Sequence, residues 1–314
     1  MNPSLVEAIA PATSANLGAG FDVFGVALDA LSDRVIVEKT SHEGVIEIEI
    51  EGEGSETIPR EPKRNTAGIV ANELLKYSGE RCGLKIRIIK GIRPGSGLGS
   101  SAASAAATAV AVNELLGLGL NPIQLISFAA LGEIASAGSP HADNVSAATL
   151  GDFIVITSRE PLEVLKLKLP KNVEFAIVLP EIRVDTSLAR SVLPKKVDLS
   201  SMVHNIGRAA TFIAGIALNN VEIMGKGMTD IIIEPARAHL IPGLSHVKER
   251  AIKSGAAGVT ISGAGPSIIA LVDSRRMSAE KVALAMKSAF EEVGIRSCPI
   301  CAKPGAGARI IRKE

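Results

Sequence analysis

Apolar and polar residues alternate along 34–38, 45–51 and 84–88, the period of strands with one buried face. The outward set along 45–51 includes Glu47, Glu49 and Glu51, a row that reads as a solvated strand face rather than as paired catalytic carboxylates. Residues 66–77 carry a helical pattern instead, with Asn65 placed to cap the first turn. Two more helices are expected at 101–116, stopped by Gly117, and at 122–137, opened by Asn121 and Pro122. Strands follow at 151–157, 173–179, 259–262, 267–273 and 308–312, and helices at 201–219, 244–254 and 278–293. Such alternation predicts an α+β protein whose sheets are covered on one side. The charged stretch 158–171 reads as a passage between two domains, 1–160 and 161–314, and no tandem repeat is evident.

Composition narrows the function. The chain has 314 residues, enough for two ordinary domains, and 46% hydrophobic residues to fill their cores. Its net charge is +1, and seven Phe, one Tyr and no Trp leave few stacking platforms, which argues against nucleic acid as a partner. The most apolar run, 102–120, contains Asn113 and Glu114 and is too polar to span a membrane. The first basic residue is Arg34, unlike the charged start of a secretory signal, so a soluble cytoplasmic protein is expected. Three cysteines make no disulfide framework, and the Cys298, Cys301 spacing fits two residues in a late strand or loop. The five histidines form no zinc-type cluster.

The strongest chemical signal is PGSGLGSSAAS at 94–104, where three glycines and the hydroxyls of Ser96, Ser100 and Ser101 lead into an Ala-rich helix. Glycines let consecutive N–H groups converge on an anion, and the helix N-terminus adds unpaired donors and a positive dipole end. The Gly-Lys-Ser/Thr ending of a Walker A loop is missing, so this is a phosphate cradle of another kind. Glu133 is the second signal. In the expected helix its neighbours are Ile126, Ala129, Ala130 and Ala137, an apolar side near a C-terminus where the dipole disfavours an anion. A cation is the natural compensation; a solvent-facing or lysine-paired glutamate is the other reading.

Three segments in order go beyond composition: PATSANLGAGFD at 11–22, the 94–104 loop, and SGAGPS at 262–267. Together they resemble the GHMP small-molecule kinases, named for galactokinase, homoserine kinase, mevalonate kinase and phosphomevalonate kinase, over nearly the whole chain. The form of the first segment, with HADN at 141–144, TSLAR at 186–190 and EPAR at 234–237, is similar to the homoserine kinase branch. Ala19 departs from the Pro that many of that branch carry, a change in loop stiffness more than chemistry. The resemblance implies a two-domain GHMP kinase architecture. Its N-terminal domain would be of the ribosomal-protein-S5 domain-2 type, its C-terminal domain ferredoxin-like, its active site between them, and the protein a homodimer.

What the resemblance implies for the site is specific. ATP would lie on Pro94, Gly95, Ser96, Gly97, Leu98, Gly99, Ser100 and Ser101, with Asn65 at an adenine-contacting position that its capping role explains equally well. Ser101 and Glu133 would hold Mg²⁺, as hard oxygen ligands do. The implied acceptor is L-homoserine, phosphorylated on the way to threonine. Arg190 and Arg237 would grip its carboxylate, and Asp22 and Asp143, with Asn16 and His141, its ammonium and hydroxyl end. Asn144 stands where mevalonate kinase and galactokinase place an Asp, and an amide accepts no proton at neutral pH. The implied chemistry is therefore direct transfer of the ATP γ-phosphate, with Asn144, Thr186 and Arg190 as the catalytic set; proton removal by Asp143 is a second reading. A mevalonate-type or sugar kinase, or a non-catalytic ligand sensor on the same fold, are the competing functions.

Overall fold

The computed structural model describes residues 3–137 and 141–314. Its first half contains β1 (Leu5–Asn16), β2 (Gly20–Thr40), β3 (Ile46–Gly52), α1 (Thr66–Ser78), β4 (Gly83–Lys90), α2 (Ser100–Leu116), α3 (Pro122–Gly132), α4 (Ile134–Ala137), α5 (Asp143–Leu150) and β5 (Phe153–Arg159). The second half contains β6 (Leu162–Leu167), β7 (Val173–Pro180), α6 (Thr186–Ser191), α7 (Leu199–Ala217), α8 (Val221–Lys226) and α9 (Ile233–Arg237). It ends with α10 (Leu244–Lys253), β8 (Gly258–Ile261), β9 (Ile268–Asp273), α11 (Ala279–Glu292), β10 (Ser297–Ala302) and β11 (Arg309–Lys313).

A seven-stranded sheet runs β11-β1-β2-β4-β3, with β5 and β6 added through β2. Only β3 and β4 pair in parallel; the other neighbours are antiparallel. Helices α1, α2, α3 and α5 pack on this sheet and on one another. The Ala-rich α2 is buried along most of its length, because small side chains let it approach the sheet and three helices at once. The caps expected from sequence form. Asn65 accepts from the Ala67 and Gly68 N–H groups, and Asn121 with Gln124 makes a capping box.

The four-stranded antiparallel sheet β10-β7-β9-β8 carries the second half. Here an expectation fails, because this sheet is covered on both faces. Ala176, Val178, Ala270 and Val272 pack with Val247 and Phe290 of α10 and α11, whereas Phe175, Ile177, Ile269 and Leu271 join the core of the first sheet. Continuous apolar runs such as residues 175–179 and 268–272 are what two-sided burial requires. Phe24, Phe153 and Phe212 cluster edge-on and tilted with ring centroids 5.2 to 5.7 Å apart, tying α7 to the first sheet.

Two local differences matter for the site. The expected helix 122–137 breaks at Glu133. Gly132 lies so close to Thr66 and Val70 of α1 that no β-carbon fits, and the Glu133 N–H tightens back onto Ala130 O. The expected passage 158–171 contains β6, paired with β5, so the first sheet continues past residue 160 and is rejoined by β11 near the C-terminus. The exposed Glu47, Glu49 and Glu51 form a solvated row as expected, with Glu49 and Glu51 paired to Lys85 and Arg87. Cys298 and Cys301 are free and lie in β10. No described helix is long and apolar enough to cross a membrane.

Candidate active site

Residues 94–99 turn between β4 and α2 with Gly95, Gly97 and Gly99 at φ of 68°, 78° and 67°, conformations that L side chains rarely adopt. Space demands glycine as well. A β-carbon on Gly97 would stand 2.5 Å from Ser262 O, and one on Gly99 would stand 1.9 Å from Thr13 Oγ1. The 262–267 loop thus touches the phosphate loop directly: Ser262 Oγ lies 2.7 Å from Gly97 O, and the Ser267 N–H donates to Ser96 O. The Thr13 N–H donates to Leu98 O, so β1 holds the loop from the other side.

Beneath the loop lies a buried ion pair. Lys90 Nζ donates to Asp33 Oδ2, to Ser100 O at 2.9 Å and to Ser104 Oγ at 3.0 Å. Asp33 in turn accepts from Ser104 Oγ and from the Gly91 and Ile92 N–H groups. Burial pulls the Lys90 ammonium below its ordinary pKa, and Asp33 opposes that pull. The pair fixes the end of β4 to the first turns of α2, and with them both ends of the loop. Farther along α2's first turn, Ser101 Oγ donates to Glu133 Oε2 at 3.1 Å. Glu133 is buried at the α3 break, so its carboxylate meets the α2 N-terminus rather than solvent.

The polar pocket grows out of the β1–β2 turn. Asn16 and Asp22 hold positive φ of 74° and 57°. Asn16 Nδ2 donates to Gly263 O, and the Asp22 N–H donates to Asn16 Oδ1. Arg190 donates to Asp22 Oδ1 at 2.7 Å, and Arg159 donates to Asp22 Oδ2 at 3.3 Å. Arg237 is buried and donates to Ala189 O and Gly263 O, both at 3.0 Å. Both Arg190 and Arg237 lie over the Phe21 ring, 5.5 Å from its centroid. Burial and the neighbouring Arg190 lower the Arg237 pKa to about 10, which leaves it charged at neutral pH. Glu234, also buried, accepts from Thr260 Oγ1 and the Ile261 N–H and pairs with Lys248, anchoring the helix that presents Arg237.

Asp143 opens α5 and is buried. Burial, and then the nearby Asp22 carboxylate, raise its pKa to about 6, against the Asn144 N–H bond and the Arg190 and Arg159 charges. Thr13 Oγ1 donates to Asn144 Oδ1 at 2.8 Å, so the Asn144 amide is oriented with its NH₂ toward Asp143.

The site opens into one cleft of about 370 Å³. It brings together Asn16, Asp22, Asn65, Pro94, Gly95, Ser96, Gly97, Gly99, Ser100, Ser101, Glu133, His141, Asp143, Asn144, Thr186, Arg190 and Arg237. The Leu98 side chain is buried in the core, and its backbone remains in the loop. Sequence reasoning missed Lys90, Arg159, Phe21 and Arg183. For Lys90 the signal was present, since it continues the buried alternation of Leu84, Ile86 and Ile88. Asp33, in the long β2, carried no comparable mark.

An anion cradle opening onto a pocket that holds both acidic and basic side chains, set in an α+β two-sheet fold, is the arrangement a small-molecule kinase needs. Residues 65–152 match the GHMP kinases N terminal domain, and residues 212–292 match the GHMP kinases C terminal domain. A homoserine kinase of Methanococcus vannielii is 44% identical over 296 residues, 94% of each chain. One of Methanocella arvoryzae is 44% identical over 305 residues, 97% of each. The crystal structure of homoserine kinase from Cytophaga hutchinsonii matches with a TM-score of 0.92 and 38% identity, covering 98% of both chains. The chain belongs to the GHMP kinase family.

Proposed function

We propose that this protein transfers the γ-phosphate of ATP to the side-chain hydroxyl of L-homoserine, giving O-phospho-L-homoserine for threonine synthesis. One observation carries the choice of acceptor: Asp22 and Asp143 adjoin Arg190 and Arg237 in the cleft that also contains the glycine loop. A zwitterion with a short hydroxyl arm needs both signs of charge; a sugar or mevalonate does not need an acidic pair for an ammonium. The two guanidinium groups receive the carboxylate, whose bidentate shape they match. Asp22 and Asp143 receive the ammonium, with Asn16 and His141 completing that end.

Arg190 pairs with Asp22, and homoserine offers each a partner of the same sign as the one it would replace. The loop residues Pro94 to Ser101 bind the ATP phosphates through N–H groups and the α2 N-terminus, with Asn65 near the base. Ser101 and Glu133 fit Mg²⁺, because a buried carboxylate and a hydroxyl 3.1 Å apart supply hard oxygens at a helix N-terminus. Bound there, the ion would neutralise phosphate charge.

Phosphoryl transfer depends on alignment and charge neutralisation, since its transition state is loose. Asn144 suits alignment, because its oxygen is occupied by Thr13 and its NH₂ only donates. Thr186, at the start of α6, and Arg190 complete the positioning set. The raised pKa of Asp143 favours one second reading, in which this carboxylate takes the hydroxyl proton. A homodimer in the cytoplasm is part of the proposal through likeness to the family. Coupled ADP release with Mg-ATP should require L-homoserine and be absent with mevalonate, galactose or no acceptor. Turnover on galactose or mevalonate alone would reassign the acceptor, and none with any acceptor would favour a ligand sensor.

A further inference from the structure

ATP brings about four negative charges to a loop that has no basic residue from Pro94 to Ser104. Among the described residues, five Lys and Arg side chains line the cleft: Arg64, Lys90, Arg183, Arg190 and Arg237. Four have other positions or duties. Lys90 is bound to Asp33, Arg190 to Asp22, and Arg237 to two backbone carbonyls. Arg64 belongs to the short turn leading into Asn65.

Arg183 is different. It lies in the connection from β7 to α6, and its side chain lies against Gly95 of the phosphate loop: a β-carbon on Gly95 would stand 3.3 Å from its Cγ and 3.6 Å from its Nε. Its ion pair is with Asp185 at 3.0 Å, and the two side chains are 59% and 60% exposed. An exposed pair of that kind holds a guanidinium weakly, so a phosphate can replace the carboxylate.

We propose that Arg183 pairs with the terminal phosphates of ATP across Gly95 and stabilises the charge on the phosphoryl group in flight. The inference rests on the kinase reading above but not on the identity of the acceptor. The acceptor oxygen forms the new bond to phosphorus, the bond to ADP breaks with its electron pair leaving on ADP, and the hydroxyl proton ends on a phosphate oxygen.

The test is calorimetric titration of the wild-type protein, Arg183→Gln and Arg183→Lys with AMP and with a non-hydrolysable ATP analogue, without acceptor. Arg183→Gln should weaken the analogue at least about tenfold and leave AMP within about twofold, with Arg183→Lys in between, because only the terminal phosphates meet the guanidinium. With homoserine, kcat/KM for ATP should fall about 100-fold while KM for homoserine stays within about threefold. Equal shifts for AMP and analogue, or no shift for either, would overturn the role of Arg183. If the wild-type protein does not phosphorylate homoserine, the acceptor assignment fails, and the titration still decides the arginine. Arg183 is exposed, so the variants should melt with the wild type; should Arg183→Gln not fold, Arg183→Lys carries the comparison.

Discussion

At the scale of single residues, the site is governed by where burial leaves a charge and what stands opposite. Asp143 shows the cost. Its carboxyl has a pKa of about 6, above the ordinary 3.8, so the folded chain holds the proton more tightly between those values. Stability therefore falls as pH rises through that window, and the cost is complete above it. Asp143→Asn should melt higher than the wild type near neutral pH, with the gap closing as pH approaches about 4. Thermal melts across that range give the answer, and a variant that melts lower at neutral pH would contradict it. The same ionised carboxylate is one of the two proposed to receive the substrate ammonium, so stability would be given up there for binding.

Elements set the geometry that single residues use. The glycine loop is held at three points: by β1 through Thr13, by the 262–267 loop through Ser262, and from below by Lys90 and Asp33. The last is the deepest, with side chains 2% and 0% exposed. Lys90→Met leaves Asp33 as an unpaired buried charge and should cost about 3–5 kcal/mol in urea unfolding. Adding Asp33→Asn to that variant should recover part of the loss. A single-variant cost below about 1 kcal/mol would mean that the pair does not hold the loop. Much of this was legible in sequence. Asn65, Asn121 and Gly117 marked helix ends by chemistry that acts locally, and alternation marked β3 and β4. The break at Glu133 was not legible, because it depends on how closely α1 passes Gly132. Nor was β6, a short strand of mixed charge stabilised by pairing with β5 rather than by its own pattern.

For the whole molecule, both halves of the chain build the cleft. Asn16, Asp22, Asp143 and the glycine loop come from the first half, and Arg183, Arg190, Arg237 and Gly263 from the second. Asn16 and Arg237 both donate to Gly263 O, so one carbonyl joins the two ends of the pocket. Motif order showed these segments to belong together, but distances such as Arg190 to Asp22 follow only from the packing of α6 against the β1–β2 turn. Two-sided burial of the second sheet explains how that packing is held, since one face of β7 and β9 joins the core of the first sheet.

The central claim is that the cleft selects an amino acid by both of its charged ends. It is tested most directly by comparing kcat/KM for L-homoserine with that for 4-hydroxybutyrate, which lacks the ammonium, and 3-amino-1-propanol, which lacks the carboxylate. Each deletion should lower kcat/KM by at least about 100-fold, because it takes the charged partner from buried Asp143 or from buried Arg237. Turnover of either analogue within about threefold of homoserine would mean that the corresponding pair, Asp22 with Asp143 or Arg190 with Arg237, does not hold the substrate.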